Sequence, residues 1–173
     1  MLAPRKVLHS TPVGVIEQAF SLAQVNGSDV VCDVGCGDGR VLLYAASRLH
    51  VARCVGMEID ADRVCQINEA AKRLGVDDRV TIYCGNALDM DLDDDVTVIF
   101  LFLIERGLRQ IFRKLLACTS KLRHKELRIV TYLYRVRVMD PYMVSSQFCP
   151  INPPGTSDAA FPIYLYKLPP LTT

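Results

Sequence analysis

The sequence has no apolar stretch near the roughly 18 residues that a membrane-crossing helix needs. Its longest apolar run, Val96 to Ile104, is broken only by Thr97 and has the length of a strand. Metal-ligand spacing is also missing. The seven cysteines, at 32, 36, 54, 65, 84, 118 and 149, include no Cys-x-x-Cys pair, and His9, His50 and His124 lie far apart, so no metal site is expected. Bulk charge is small: a net +1 leaves no whole-protein field to gather nucleic acid or acidic substrates. No repeat and no low-complexity segment occurs. The N-terminus MLAPRKVLHS has no secretory h-region, and most cysteines sit inside apolar runs, which reads as buried, reduced thiols in a reducing compartment. An intracellular, cytoplasmic location is expected. Two basic residues and no acid before Glu17 leave a short mitochondrial transit signal open.

What is present is an ordinary globular composition. The 173 residues are 50% hydrophobic and 23% charged, which excludes disorder as the main state and fits one domain over residues 1–173. The charge is unevenly spread. Residues 1–103 carry 9 Lys/Arg against 15 Asp/Glu, a net of −6, whereas residues 104–137 carry 10 against 2, a net of +8. The basic segment 106–137 reads as a solvated helix face with its following loop, or as a contact for an acidic partner such as RNA. DMDLDDD, with five Asp between 89 and 95, reads as a solvated loop.

Short apolar runs alternate with helical patterns. Thr11-Pro12 is a helix start, with the Thr hydroxyl as cap and Pro at the first helical position; Val13, Ile16, Phe20 and Ala23 face inward, and Asn26-Gly27 ends the helix. Strands are expected at 30–34, 54–57, 80–84, 96–102 and 127–134. Helices are expected at 41–49, at 107–117, and after Asp60, with Val64, Ile67, Ala71 and Leu74 inward and Gly75 as the stop. A last strand, 161–168, follows a helix-poor stretch. Such alternation implies an α/β fold: a mostly parallel sheet with helices on both faces and an antiparallel C-terminal strand.

The informative segment is VVCDVGCGDGR. A buried strand ends at Asp33, Gly35, Gly37 and Gly39 follow at alternate positions, and a helix begins. Glycines there allow a sharp turn and close ligand approach, at the carboxyl end of a strand, where open α/β sheets bind ligands. The pattern is not the G-x-G-x-x-G of dinucleotide sites, and no Gly-Lys-Ser/Thr makes it a P-loop. Asp33 at the loop entrance disfavours a pyrophosphate and favours a ligand with a cationic group. Glu58, nineteen residues after Gly39, ends the second strand and is placed to accept ribose hydroxyls; because Asp60 caps the next helix, Glu58 is expected to be free for a ligand. In YCGNALDM, Asn86 can accept from an adenine amino group, with Ala87 and Leu88 beside the ring; a plain polar turn is the other reading.

CDVGCGDGR, GMEID and GNALD, in that order, resemble the class I S-adenosylmethionine-dependent methyltransferases, which are Rossmann-like. STPVGVIEQAF, GDGRVLLYAA and VTVIFLFLIERGLRQIF are more closely similar to small bacterial methyltransferases related to the lysine methyltransferases of the ATP synthase c subunit and the adenine nucleotide translocase. The resemblance implies S-adenosyl-L-methionine as cofactor, S-adenosyl-L-homocysteine as product and a protein lysine as acceptor. It implies that Asp33, Gly35, Cys36, Gly37 and Gly39 surround the methionine part, that Glu58 holds the ribose, and that Ile59, Asn86 and Ala87 meet adenine. The Asn/Asp-Pro-Pro-Tyr loop of amino-methylating nucleic-acid enzymes is absent, and so is the hydrophobic N-terminal segment of the mitochondrial relatives.

On the acceptor side the only acid just past the fourth strand is Glu105, a candidate base or a helix-terminal acid favoured by the helix dipole. Tyr132 and Tyr134 are further candidates, equally explained by strand alternation. Three functions stay open: methylation of a protein lysine, methylation of RNA or a small molecule with Lys114 to Arg128 on phosphates, and a cofactor-binding subunit without activity. An open cavity lined near Phe102 to Glu105 is expected of an enzyme. A filled one favours the inactive subunit.

Overall fold

The apolar runs assemble into one seven-stranded sheet, seen in a computed structural model that describes residues 8–117, 125–150 and 159–170. In chain order the elements are α1 (Val13–Leu22), β1 (Val30–Val34), α2 (Arg40–Arg48), β2 (Arg53–Glu58), α3 (Ala61–Leu74), β3 (Val80–Cys84), β4 (Val98–Leu101), α4 (Glu105–Ala117), β5 (Leu127–Tyr132), a 3-10 helix (Arg137–Tyr142), β6 (Met143–Pro150) and β7 (Ala160–Leu168). The spatial order is β3-β2-β1-β4-β5-β7-β6. β1 pairs in parallel with β2 and β4, and β4 with β5, while β7 runs antiparallel to β5 and β6 antiparallel to β7. The order reverses between β1 and β4, and that switch point is where open sheets of this kind form a crevice.

Strands buried on both faces need apolar residues of both parities, and all five residues of β1 are buried. One face of the sheet packs Val31, Phe100 and Val130 against Ile16 and Phe20 of α1, Leu42 and Ala45 of α2, and Ile67 and Ala71 of α3. On the other face Cys32, Val55, Ile99 and Ile129 meet Leu108 and Phe112 of α4 and Met139 of the 3-10 helix. The β3–β4 loop completes that face with Ala87, Leu88, Met90 and Leu92. Helices therefore cover both faces, three on one and α4 on the other.

Several local expectations are corrected. The α1 cap is Pro12, with no side-chain hydrogen bond from Thr11, because Thr11 lies one residue too early. Val13, the first residue of α1, and Leu74, the last of α3, are 52% and 54% exposed rather than inward. β4 begins at Val98 rather than 96, and β5 ends at Tyr132 rather than 134. α4 begins at Glu105. β6 is an edge strand the sequence did not announce: it buries only Cys149. Cys65 and Cys84 are exposed rather than buried; Cys118 lies outside the described residues. No described helix is long and apolar enough to cross a membrane.

Candidate active site

The Gly loop turns back on β2. Gly35 and Cys36 N–H both donate to the Met57 carbonyl, at 2.8 and 3.1 Å, and Gly39 N–H donates to the Cys36 carbonyl at 2.8 Å. Gly37 and Gly39 have φ of +58° and +75°, a region costly for residues with a Cβ. A Cβ on Gly37 would also meet Leu8 Cδ1 at 2.8 Å, and one on Gly39 would meet Ile67 Cγ2 at 2.7 Å. Residues 8–11 run across the loop. Ser10 Oγ donates to Asp38 Oδ2 at 2.7 Å, and Arg40 donates to Asp38 through Nε and Nη2 and to the Thr11 carbonyl through Nη1. Partial burial works against the Asp38 carboxylate, but the bonds from Arg40 and Ser10 hold it below the usual range.

Glu58 is 4% exposed and already engaged. Its Oε2 accepts from Gly37 N–H at 2.8 Å, and its Oε1 accepts from the N–H groups of Ile59 and Asp60, both at 3.0 Å. The expectation of a wholly free carboxylate is therefore corrected: Glu58 ties the Gly loop to the start of α3. Asp60 caps α3 as expected, accepting from Asp62 and Arg63 N–H. A carboxylate offers about four acceptor positions, so one remains, on Oε2. Asp33, also 4% exposed, has no hydrogen-bond partner for its carboxyl among the described residues. Burial first, then the nearby Asp38 and Glu58, raise its pKa to about 8. The Cys36 thiol, buried beside Asp33 and Glu58, is pushed far above its ordinary range and stays neutral, so it is no nucleophile.

Two adjoining cavities open at the carboxyl ends of the strands. The smaller, about 220 Å³, lies between Glu58 and Ile59, the turn Gly85 to Leu88, and Gly107, Gln110 and Ile111 of α4. The larger, about 560 Å³, is bounded by Asp33 and the Gly loop, by residues 8–11, by Phe100 and Phe102 to Ile104 after β4, and by Leu133 and Tyr134 after β5. Gly35 and Leu103 line both.

Of the residues expected at a site, Gly35, Glu58, Ile59, Asn86 and Ala87 meet at the smaller cavity, and Asp33, Gly35, Cys36 and Gly37 at the larger. Gly39 lies behind the loop, against Ile67. The Asn86 side chain is committed to its own turn: Oδ1 accepts from Leu88 N–H at 3.1 Å, and Nδ2 donates to Asp89 at 3.0 Å. Glu105 borders neither cavity; it is exposed on the first turn of α4 and pairs with Arg109. Two cations of the basic segment also turn inward. Arg128 binds Asp29 and the Ala23 carbonyl, and Lys114 Nζ donates to the carbonyls of Ala87, Leu88 and Met90. Lys114 thereby fastens α4 to the turn beside the smaller cavity, a role its place in a charge run did not announce.

This donor set fits a ligand with a cationic group, a ribose and a flat apolar ring. Asp33 is a buried carboxyl with no hydrogen-bond partner among the described residues, Glu58 keeps one acceptor position, and Val34, Met57, Leu88 and Ile111 form an apolar slot. The fold is that of a Rossmann-like, class I S-adenosylmethionine-dependent methyltransferase. Residues 33–143 match the family of the ANTKMT methyltransferase domain, and the chain belongs to that family. A protein-lysine N-methyltransferase of Saccharolobus islandicus is 31% identical over 135 residues, 76% of this chain and 78% of that protein. A ribosomal protein L11 methyltransferase of Pectobacterium carotovorum is 34% identical over 84 residues, only 28% of its own length. The crystal structure of an RNA methyltransferase from Salinibacter ruber, in complex with S-adenosyl-L-homocysteine, superposes with a TM-score of 0.75 at 26% identity, covering 93% of this chain and 94% of that one. The protein is thus an S-adenosylmethionine-dependent methyltransferase.

Proposed function

We propose that the enzyme methylates the side-chain nitrogen of a protein lysine. The wall of the larger cavity carries this reading. On the side formed by the ends of β4 and β5 it is built from Phe102, Leu103, Ile104, Leu133 and Tyr134, with no carboxylate among them, while residues 8–11 and Arg63 close it elsewhere. A slim aliphatic chain with an amine at its tip suits such a wall, and the protein-lysine N-methyltransferase relative supports it.

Bound S-adenosylmethionine supplies a methyl group on a sulfonium, with a good leaving group already in place. Asp33 as carboxylate pairs with the cofactor's ammonium group, the remaining position on Glu58 Oε2 takes a ribose hydroxyl, and Ile59, Ala87 and Leu88 border adenine. Because its side chain is held in the turn, Asn86 shapes this slot chiefly through its backbone. Gly35, Cys36 and Gly37 keep the loop close and small. Holding donor and acceptor in line can contribute roughly 7–11 kcal/mol. A lysine amine, which in water loses its proton only near pH ~10.4, must arrive without that proton, and an apolar wall disfavours the charged form. Glu105 is too far out to serve as its base in this arrangement.

RNA is the second reading, supported by the Salinibacter structure. It is weakened by the inward-turned Lys114 and Arg128, which leave fewer cations of the segment 106–137 for phosphates. The purified protein should be incubated with methyl-labelled S-adenosylmethionine and cell lysate, and the products split by protease and by ribonuclease. Label recovered as methyllysine after acid hydrolysis supports the lysine reading. Label that survives protease and is lost to ribonuclease overturns it.

A further inference from the structure

Beyond β5 the chain does something the strand pattern does not require. Leu133, neither glycine nor asparagine, sits at φ +72°, in the left-handed region that costs a leucine conformational energy. Two hydrogen bonds hold it there. Leu133 N–H donates to the Pro162 carbonyl of β7 at 2.9 Å, and the Oγ1 of Thr131, itself fully buried, donates to the Tyr134 carbonyl at 2.9 Å. Beneath the turn Tyr132 is locked, its ring 4.8 Å from Phe102 and 6.4 Å from Phe161 between centroids. The turn breaks the strand alternation and puts Leu133 and Tyr134 together on the wall of the larger cavity. The Tyr134 hydroxyl has no hydrogen-bond partner among the described residues. Tyr134 is 40% exposed, so its hydroxyl is open to a ligand entering the cavity, and strain supported in this way is common at functional positions.

We propose that Tyr134 is the acceptor-binding residue of this site: its phenolic oxygen accepts a hydrogen bond from the acceptor nitrogen, and Thr131 is the positioning residue that aims it. The inference rests on the lysine reading and deepens it. One N–H of the amine is taken by Tyr134, which fixes the nitrogen's orientation and leaves its lone pair for the methyl carbon. Phe102, Leu103 and Leu133 flank the aliphatic chain that carries the nitrogen. Neither Asp33 nor Asp38, the two carboxylates of that cavity, is needed for this contact: Asp33 lies on β1, and Asp38 lies in the Gly loop and is held by Arg40.

A probe that carries its own acceptor arm tests this without the natural substrate. It is an S-adenosylhomocysteine analogue with nitrogen in place of sulfur, bearing a 4-aminobutyl arm. A second analogue bears a plain butyl arm. Calorimetry gives the dissociation constant of each relative to S-adenosylhomocysteine. The wild type should bind the aminobutyl probe more tightly than S-adenosylhomocysteine. Tyr134→Phe should reduce that advantage by about tenfold, the size of one hydrogen bond to a charged group. It should leave the butyl probe and S-adenosylhomocysteine unchanged. Thr131→Val should act in the same direction, and Thr131→Ser, which keeps the hydroxyl, should restore the advantage; Ser and Phe variants that melt like the wild type exclude misfolding. An advantage undiminished in Tyr134→Phe overturns the role of Tyr134 and leaves the lysine reading standing. An aminobutyl probe that binds the wild type no better than S-adenosylhomocysteine overturns both.

Discussion

Glu58→Gln separates holding the loop from holding the ligand. The substitution preserves shape and removes the charge. In the wild type three backbone N–H groups converge on the carboxylate, from Gly37, Ile59 and Asp60. A glutamine has one oxygen, so one side must lose. With its oxygen toward Ile59 and Asp60, its NH2 faces the Gly37 N–H, and a buried donor is left without an acceptor, at about 1–3 kcal/mol. The two bonds it keeps fall from charge-assisted to neutral strength, for about another 1 kcal/mol together. The reverse orientation strands two donors and is worse. The cofactor-free protein should therefore lose about 2–4 kcal/mol, a fall in Tm of roughly 5–15 °C for a domain of this size.

The same orientation removes the one acceptor position left on Oε2. Cofactor affinity measured by calorimetry at low temperature, where the variant is folded, should drop by a further ~1.5–3 kcal/mol. That is one ribose bond rather than two, since the backbone has taken the other positions. A variant that melts with the wild type would mean that Glu58 does not tie the Gly loop. A lowered Tm with unchanged affinity would make Glu58 a brace only and place the ribose elsewhere.

Asp33→Asn should change the pH dependence of stability. The carboxyl is raised from 3.8 to about 8 by burial and by Asp38 and Glu58, so between those values the folded state holds a proton that the unfolded state has lost. Stability then falls as pH rises from about 4 to about 8 and levels off above, and melts from pH 5 to 9 should show a decline up to about 8 that Asp33→Asn abolishes, together with weaker cofactor binding; parallel profiles for the two proteins would count against the raised carboxyl. Lys114→Met removes the donor to three loop carbonyls while keeping much of the stem, and cofactor affinity should fall several-fold as the adenine turn loosens; affinity equal to wild type would show that α4 does not set that turn. Gly37→Ala should cost about 1–2 kcal/mol from the left-handed backbone alone and displace Leu8 from above the loop, read as a lower Tm with weaker S-adenosylhomocysteine binding; an unshifted Tm would refute the strain argument.

The sequence exposed the strands where apolar runs have clear bounds. Val30 to Val34, buried throughout, and Val80 to Cys84, buried only at Val80, were bounded by charges and glycines and are the observed strands, and α3 was legible from its Asp60 and Gly75 caps. β6 was not, because Met143 to Pro150 is an edge strand that buries one residue and carries a register shift between Met143 and Ser145. Its sequence lacks both a continuous apolar run and a clean alternation. The site was legible in residue type and order, but not in how the residues bind one another. The second role of Glu58 depends on an amide twenty-one residues away, and the turn at Leu133 uses a residue that carries no turn signal. Lys114 and Arg128 looked like surface charge because sequence reports charge, and only packing reports direction.

The two halves of the sheet divide the chemistry. β1, β2 and β3 end in Asp33, Glu58 and the Asn86 turn, where backbone amides and carboxylates meet; a polar ligand fixed there needs many directional contacts. β4 and β5 end in Phe102 to Ile104 and Leu133 to Tyr134, which are apolar but for one hydroxyl. A wall of that kind confers little orientation by itself, because burial of apolar surface is non-directional. A polar atom on the wall supplies the direction that the apolar surface lacks, and Tyr134 carries the hydroxyl there. That reasoning singles out the strained turn after β5 over Glu105, which an exposed helix terminus and its pairing with Arg109 keep away from the cavity.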